Sequence, residues 1–299
     1  MAIDNLIITS INKNFKDNLY DELVIGKLAN VQAKPDLKKG DEMNVEMPAT
    51  VEMFKYSGSD LPDAELVTQS YAKVRVEEGE AFHFEIDKVK QQQILAAKTP
   101  TDQLELVKVY GEDATKQYAA HLDAAFGELY TRAGHYLANN DGSAINLDAD
   151  YAKEILAYMQ AEFQRGDKKG HTNWRDGQMV CIVPPEYQFY LGKLDELKYT
   201  ESAQRKVEKG FIGKLCGWDI LVSNNVAKDD DGNFYPLFGL RGKTLAGGVS
   251  KDLNTTSYMP EKNFNTRYKG YGLYGVGAPR ADFLGAVKIA APLKLTNRA

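Results

Sequence analysis

Hydrophobic and polar residues alternate in two neighbouring segments of the N-terminal third of the chain. The first runs over 43–53 and the second over 72–76. Because successive side chains of a strand point to opposite faces, an alternation of period two predicts β-strands. The polar, glycine-containing segment 56–63 between them predicts a turn. We therefore predict a long β-hairpin within residues 40–86.

One face of this hairpin carries only hydrophobic side chains, which are Val45, Met47, Val74 and Val76. Strands of about 12 to 15 residues would reach roughly 40 to 50 Å, which is further than the core of one domain extends. We therefore expect this face to be buried against a neighbouring subunit. The alternative is that the hairpin belongs to a mixed sheet within its own domain.

A different periodicity, close to 3.6 residues, predicts two helices after the hairpin. The segment 99–102 has a threonine cap and a proline at the first helical position, so a long helix is expected from there to Gly134, with a kink or a break at Gly111. A second helix is expected between an N-cap at Asp148 and Gly166.

Short strands and one short helix are expected over the rest of the chain, whereas residues 1–40 have only a weak hydrophobic pattern and are expected to form an arm. The strands are mixed with helices without a regular βαβ alternation, so the predicted fold class is α+β. The strands are expected at 179–183, 218–222, 234–249, 270–276 and 285–290, and the short helix after Pro184 and Pro185.

Composition and charge exclude several classes of function. The net charge is -5 with a pI near 5.5, which does not favour tight binding to nucleic acid or to a membrane surface. No segment approaches the roughly 20 apolar residues of a membrane span, and the acidic N-terminus (Asp4) is not typical of a secretion signal. Cys181 and Cys216 lie in apolar, strand-like contexts and are interpreted as buried thiols in a reducing cytoplasm.

Three nucleotide- or metal-binding motifs are matched only in part. The glycines of 270–275 have the spacing of a dinucleotide-binding loop, but no helix is predicted after them. Residues 239–244 resemble the end of a phosphate-binding loop, yet the required first glycine is Leu237. Residues 229–232 resemble a calcium loop, but Phe238 replaces the closing glutamate, so an acidic turn is expected.

The sequence provides no catalytic, cofactor-binding or metal-ligating residues that we would assign. The four histidines (His83, His121, His135 and His171) lack the spacing of metal ligands. We therefore expect a protein that is not an enzyme and has no cofactor. A catalytic α+β protein with a dispersed active site remains the alternative from a different functional class.

The segment 210–225, GFIGKLCGWDILVSNN, resembles a signature of tailed-bacteriophage major capsid proteins of the Hong Kong 97 type. In that family a Gly-x-Ile-Gly turn leads into a Gly-aromatic strand that ends in Ser-Asn. Other segments resemble the family in the same order along the chain. Val183-Pro184-Pro185 precedes a short helix, Tyr118-Ala119-Ala120 and Asp123 resemble the spine helix, and 268–276 resembles a late strand.

The resemblance implies a subunit with four parts. Residues 1–40 would be an N-terminal arm and 41–86 an extended loop. Residues 87–145 and 250–279 would form a peripheral domain with the spine helix, and 146–249 and 280–299 an axial domain.

The implied function is that of a major capsid protein, which assembles in the host cytoplasm into the icosahedral shell of a virion around double-stranded DNA. Its partners would be copies of itself in hexamers and pentamers, a separate scaffolding protein and a portal, with weak contact to DNA and none to membrane. An encapsulin-type bacterial compartment is the related alternative. Although some relatives form lysine–asparagine cross-links between subunits, Lys55 in the hairpin has no identified partner here.

Overall fold

The computed structural model describes residues 2–47, 70–87, 100–166, 174–194, 209–260 and 265–290. Within these ranges the α-helices are α1 (Ala2–Glu22), α2 (Pro100–Gly127), α3 (Ala149–Arg165) and α4 (Pro185–Leu191). Short 3-10 turns cover Ile25–Leu28, Glu128–Arg132 and Ala281–Phe283. No helix in the described part of the chain is long and apolar enough to cross a membrane.

The strands alternate with these helices in an irregular order, as expected for an α+β fold. They are β1 (Ala29–Lys34), β2 (Glu42–Met47), β3 (Ser70–Arg75), β4 (Glu78–Ile86), β5 (His135–Leu137), β6 (Met179–Val183), β7 (Phe211–Leu215), β8 (Trp218–Val222), β9 (Leu237–Leu240), β10 (Leu245–Ser250), β11 (Thr256–Tyr258), β12 (Thr266–Gly277) and β13 (Leu284–Val287).

Two large sheets and one hairpin organise these strands. The five-stranded sheet has the order β1-β10-β12-β11, and β4 pairs along β12. The six-stranded sheet has the order β5-β13-β9-β6-β8-β7, and β2 pairs with β3 alone. The central strand β6 is buried along its whole length, which explains its unbroken hydrophobic sequence.

The predicted helix boundaries at Pro100, Asp148 and Gly166 are confirmed. The Asp148 side chain accepts a hydrogen bond from the Tyr151 backbone at 2.8 Å, and Gly166 follows the last turn. The predicted break at Gly111 is wrong, because α2 continues through it. A Cβ at this position would lie 3.1 Å from the Cα of Ile11. The glycine therefore allows α1 and α2 to cross at close distance.

Residues 2–22, expected within an arm, form a helix that packs along α2. The buried side chains of α1 are Ile7, Ile11, Phe15 and Leu19, and the Phe15 ring contacts the Tyr118 ring edge-on at 5.0 Å. The helical spacing of these residues was present in the sequence. It was obscured because polar residues such as Ser10 and Asn14 are also buried in the seam between the two helices.

The hairpin of β2 and β3 is confirmed at its base, with Val45 opposite Ala72. Its predicted continuation over 48–69 lies outside the described residues. The expectation that its hydrophobic face needs a neighbouring subunit is wrong for the base. There, Val45 and Val74 are buried against Ala246 of the same chain.

Candidate assembly surface

The Asp123 carboxylate fixes the junction between the N-terminal helix and the rest of the molecule. It accepts backbone hydrogen bonds from Val24 at 2.8 Å and from Gly26 at 2.9 Å. Burial raises the pKa of Asp123, and these hydrogen bonds oppose that rise. Nearby, Lys209 pairs with Glu22 at the end of α1. The polypeptide is therefore held on both sides of the point where α1 leads into β1.

The five-stranded sheet has one face covered by helices and the other only partly covered. On the helix side, Tyr118 of α2 contacts the ring of Tyr274 edge-on at 5.8 Å. On the opposite side, the base of the hairpin covers the β10 end of the sheet, where Gly248 leaves room for the Met43 side chain. The rest of this second face, over β4, β11 and the first half of β12, is exposed.

This exposed part, which we call the outer sheet face, presents aromatic and basic side chains. Tyr258 is 39% exposed, Tyr271 48% and the adjacent Met259 61%. The His83 ring lies parallel to the Tyr258 ring, with His83 Nε2 3.1 Å from the hydroxyl, and Lys269 Nζ lies 5.3 Å from the centre of the same ring. A cluster of exposed aromatic residues is typical of a surface that binds another protein.

Two further exposed aromatic groups lie on the helices that flank the six-stranded sheet. Tyr151 and Tyr158, two turns apart on α3, are about half exposed, and Phe189 of α4 is more exposed still. Lys193 Nζ lies 4.5 Å from the centre of the Phe189 ring. Like the outer sheet face, these side chains are available for contacts with other proteins.

The histidines are separate in the structure. His121 pairs with Glu80 at 3.1 Å, and His135 lies 3.0 Å from the carbonyl of Asp282, while His171 is outside the described residues. No group of three potential metal ligands occurs among the described residues.

The two cysteines occupy different environments. Cys181 is fully buried in β6, and burial raises the pKa of its thiol. Cys216 lies in the turn between β7 and β8 with a positive φ of 48° and is only partly buried, so its interpretation as a buried thiol in a strand-like segment was wrong. Neither residue is in a disulfide.

The glycine-rich segment of β12 serves packing, as the sequence context indicated. A Cβ at Gly270 would meet the Phe82 ring at 2.5 Å, and one at Gly272 would meet the Tyr118 ring at 2.8 Å. These glycines therefore let aromatic side chains lie directly on the sheet backbone.

The acidic segment 229–232 forms the predicted turn. Asp229 accepts hydrogen bonds from the Asn233 backbone at 2.8 Å and from the Tyr235 hydroxyl at 2.9 Å. Burial would raise the pKa of Asp229, but these hydrogen bonds and the nearby Lys288 outweigh it and lower the pKa to about 2. Residues 239 and 240 end β9, and residues 241–244 form a turn to β10, in which the Thr244 hydroxyl accepts from the Leu240 backbone at 2.7 Å. Neither turn resembles a ligand loop.

Comparison with known structures identifies the architecture. The capsid of Ralstonia phage GP4 matches with a TM-score of 0.58 and 12% identity, over 92% of this chain and 91% of the other. The mature capsid of bacteriophage PhiM1 matches with a TM-score of 0.53 and 18% identity, over 90% and 87%. The chain has the Hong Kong 97-type capsid fold. The virus-like particle from Pyrococcus furiosus shares this architecture, with a TM-score of 0.53 and 12% identity over 94% and 98%.

These similarities lie in the structure and not in the sequence. No protein-family model matches the chain, and no curated protein matches it. The signature segment 210–225 is placed in β7, the following turn and β8. β7 is an edge strand of the six-stranded sheet, and β8 lies between β7 and the buried β6. Its tryptophan, Trp218, is fully buried and donates a hydrogen bond to the Leu156 carbonyl at 3.1 Å. The resemblance in this segment therefore reflects core packing.

Proposed function

We propose that this protein is the major capsid protein of a tailed bacteriophage and forms the icosahedral shell around double-stranded DNA. The observation that carries the proposal is the match of about 90% of the chain to nearly complete capsid chains. A shell subunit functions by binding neighbouring subunits through its surfaces. The exposed aromatic residues of the outer sheet face and of α3 supply such surfaces.

The presence of two large sheets supports a division into two domains, although the five-stranded sheet also includes β1, β4 and most of β10, which lie outside the peripheral bounds given below. In this proposal the peripheral domain comprises 87–145 and 250–279, including α2, β11 and β12. The axial domain comprises 146–249 and 280–299, including α3, α4 and most of the six-stranded sheet. Residues 1–40 act as the arm and 41–86 as the extended loop. Because α1 packs on α2, this part of the arm would move only if α1 detached from α2.

The proposed partners are copies of the same chain, in hexamers and pentamers, together with a separate scaffolding protein and a portal. The shell would be assembled in the host cytoplasm and would become part of the virion. Contact with the packaged DNA would be weak, because a net charge of -5 provides no general attraction to phosphate. The proposed role is structural and requires no catalytic site or cofactor.

An encapsulin-type compartment that encloses protein cargo is the second candidate. The match to the virus-like particle of Pyrococcus furiosus shows the shared fold and does not favour this alternative over a phage capsid. The two candidates differ in their contents, because a phage capsid encloses DNA whereas a compartment encloses protein. The nucleic-acid content of particles isolated from the natural source would therefore distinguish the two candidate functions.

The direct test is assembly. The chain is expressed with and without its candidate scaffold and examined by sedimentation and negative-stain microscopy over a range of protein and salt concentrations. We expect closed shells or capsomers. A strictly monomeric or dimeric protein under every condition would contradict the proposal.

A further inference from the structure

Strand β1 forms one edge of the five-stranded sheet, and part of its backbone has no partner strand among the described residues. It pairs with β10 in parallel register, from Ala29 opposite Leu245 to Lys34 opposite Ser250. The carbonyls of Leu28 and Lys34, at the two ends of β1, accept hydrogen bonds from the β10 side. Since backbone direction alternates along a strand, the N–H and C=O groups of Val31 and Ala33 point away from β10.

A groove runs beside this edge. It has a volume of about 330 Å³ and lies between the end of α1, the 3-10 turn and the first half of β1. Tyr20 and Leu23 form its wall, and Val31 forms part of its floor. Tyr20 is 45% exposed and lines this groove of mixed polarity, in which Lys27 and Asn30 also lie.

The shape of this edge favours pairing with a single extended strand and disfavours pairing with the edge of another sheet. The exposed Tyr20 side chain lies beside the first half of β1 and would hinder a second sheet that approached side by side. Lys34 and Pro35 end the strand, and both residues are typical of edges that resist pairing with an identical edge. An isolated strand could enter the groove and pair with Val31 and Ala33.

Residues 291–299, APLKLTNRA, have the sequence that such a groove would bind. Leu293 and Leu295 alternate with Lys294 and Thr296, so a strand here would place both leucines on one face. The described chain ends at Ala290, next to Ile289, which bridges to Ile145 and Phe234 at the six-stranded sheet. Nine extended residues can reach roughly 30 Å from that point.

Charge also favours this segment as the occupant. Lys294 and Arg298 are basic, and α1 presents the exposed carboxylates of Asp17 and Asp21 next to Tyr20. Lys27 lines the groove, and its ammonium group donates to the Lys209 carbonyl at 2.9 Å. The extended-loop segment 48–69 has four acidic residues and one lysine, so these carboxylates would repel it.

We propose that residues 292–296 of one subunit add as an extra strand to the free edge of β1 in a neighbouring subunit. Leu293 and Leu295 enter the groove beside Tyr20 and Leu23, and the backbone pairs with Val31 and Ala33. This inference rests on the proposed shell function, because it requires a neighbouring copy. Each subunit would then be linked to the next by main-chain hydrogen bonds in addition to side-chain contacts.

Cysteine cross-linking tests the contact directly. Gln32→Cys, on the face of β1 opposite Val31, is combined with Lys294→Cys or with Thr296→Cys in the full-length chain, and assembled particles are oxidised with diamide. We expect a ladder of covalent multimers on a non-reducing gel. The variants with one introduced cysteine beside the native Cys181 and Cys216, and Lys39→Cys combined with Thr296→Cys, are the controls and should remain monomeric on the gel.

The outcomes separate this inference from the shell function. Particles without a ladder, or with a disulfide inside one subunit, would overturn the strand addition while leaving the shell function intact. Failure of the unmodified protein to form particles would overturn both.

A second measurement does not depend on disulfide geometry. Leu295→Asp should lower the denaturant concentration at which particles dissociate, while the melting temperature of the isolated subunit stays the same. Thr296→Asp, on the opposite face of the strand, is the matched control. Asp21→Lys should weaken the particles in the same way, and adding Arg298→Glu should restore them. Equal stability of all these particles would contradict the proposal.

Discussion

The carboxylate of Asp123 binds the backbone N–H of Gly26 at 2.9 Å, across 97 residues of sequence. A second bond from the same side chain reaches Val24 at 2.8 Å. Helix α2, which contains Asp123, therefore holds the segment that joins α1 to β1. This contact gives a physical role to a residue that was noted only for its resemblance to a family pattern.

Asp123→Asn should destabilise the isolated subunit by about 2 to 3 kcal/mol. The amide places an N–H₂ group where two backbone donors need acceptors, and hydrogen bonds to a charged group contribute roughly 1.5 to 3 kcal/mol. Urea unfolding measures the effect. Asp113→Asn, on the exposed side of the same helix, is the control and should change stability little. Equal stability of both variants would show that the buried carboxylate does not hold the N-terminal segment.

Gly111→Val should weaken the packing of α1 on α2. The added side chain would begin 3.0 Å from Asn14 Nδ2 and 3.1 Å from Ile11 Cα, and the latter atom belongs to the backbone. We expect a loss of about 1 to 3 kcal/mol, as for other overpacked positions, and faster proteolysis within α1. Ala124→Val, at an exposed position of α2, provides the control. If α1 is cleaved at the same rate in both variants, the glycine is not needed for the crossing.

The stability supplied by Asp229 should depend on pH. Its folded-state pKa is lowered to about 2, so its contribution is present above the unfolded pKa near 4 and is lost as the pH falls through 2. The difference in unfolding free energy between the wild type and Asp229→Asn should therefore be constant above about pH 5 and shrink below pH 4. A difference that stays constant down to pH 2 would contradict the assignment.

Replacing residues 48–69 with a short Gly-Ser turn should preserve folding and abolish shells. The base of the hairpin is held by its own chain through Val45, Val74 and Ala246, so the core is left intact. If the removed segment joins subunits, even about 1 to 2 kcal/mol lost at each interface is multiplied over the whole shell. Calorimetry checks whether the variant still folds, and negative-stain microscopy checks whether it still forms shells. Normal particles would show that the segment does not join subunits.

Val45→Asp is the companion variant for the base of the hairpin. Because Val45 is fully buried within the subunit, a carboxylate there should prevent folding and not merely assembly. A folded, cooperative Val45→Asp subunit that fails only to assemble would restore the original expectation that this face meets a neighbour.

The sequence by itself determined the elements whose signals are local. The caps at Asp148 and Gly166, the proline start of α2 and the alternation of β2 and β3 all depend on neighbouring residues, and the structure confirms them. The order of weak motifs along the chain indicated the Hong Kong 97-type fold, because the glycines and the tryptophan of 210–225 are fixed by core packing.

Only the tertiary structure decided which surfaces are buried within the subunit. Periodicity shows that the hairpin has a hydrophobic face, but not that Ala246, some 200 residues away, covers its base. Similarly, Gly111 permits either a kink or a close helix crossing, and Ile11 on a distant segment determines which one occurs. The position of β1 at an edge of the sheet, unpaired on one side among the described residues, is also decided by the tertiary structure. Which strand is the outermost depends on how all the strands of the sheet pair.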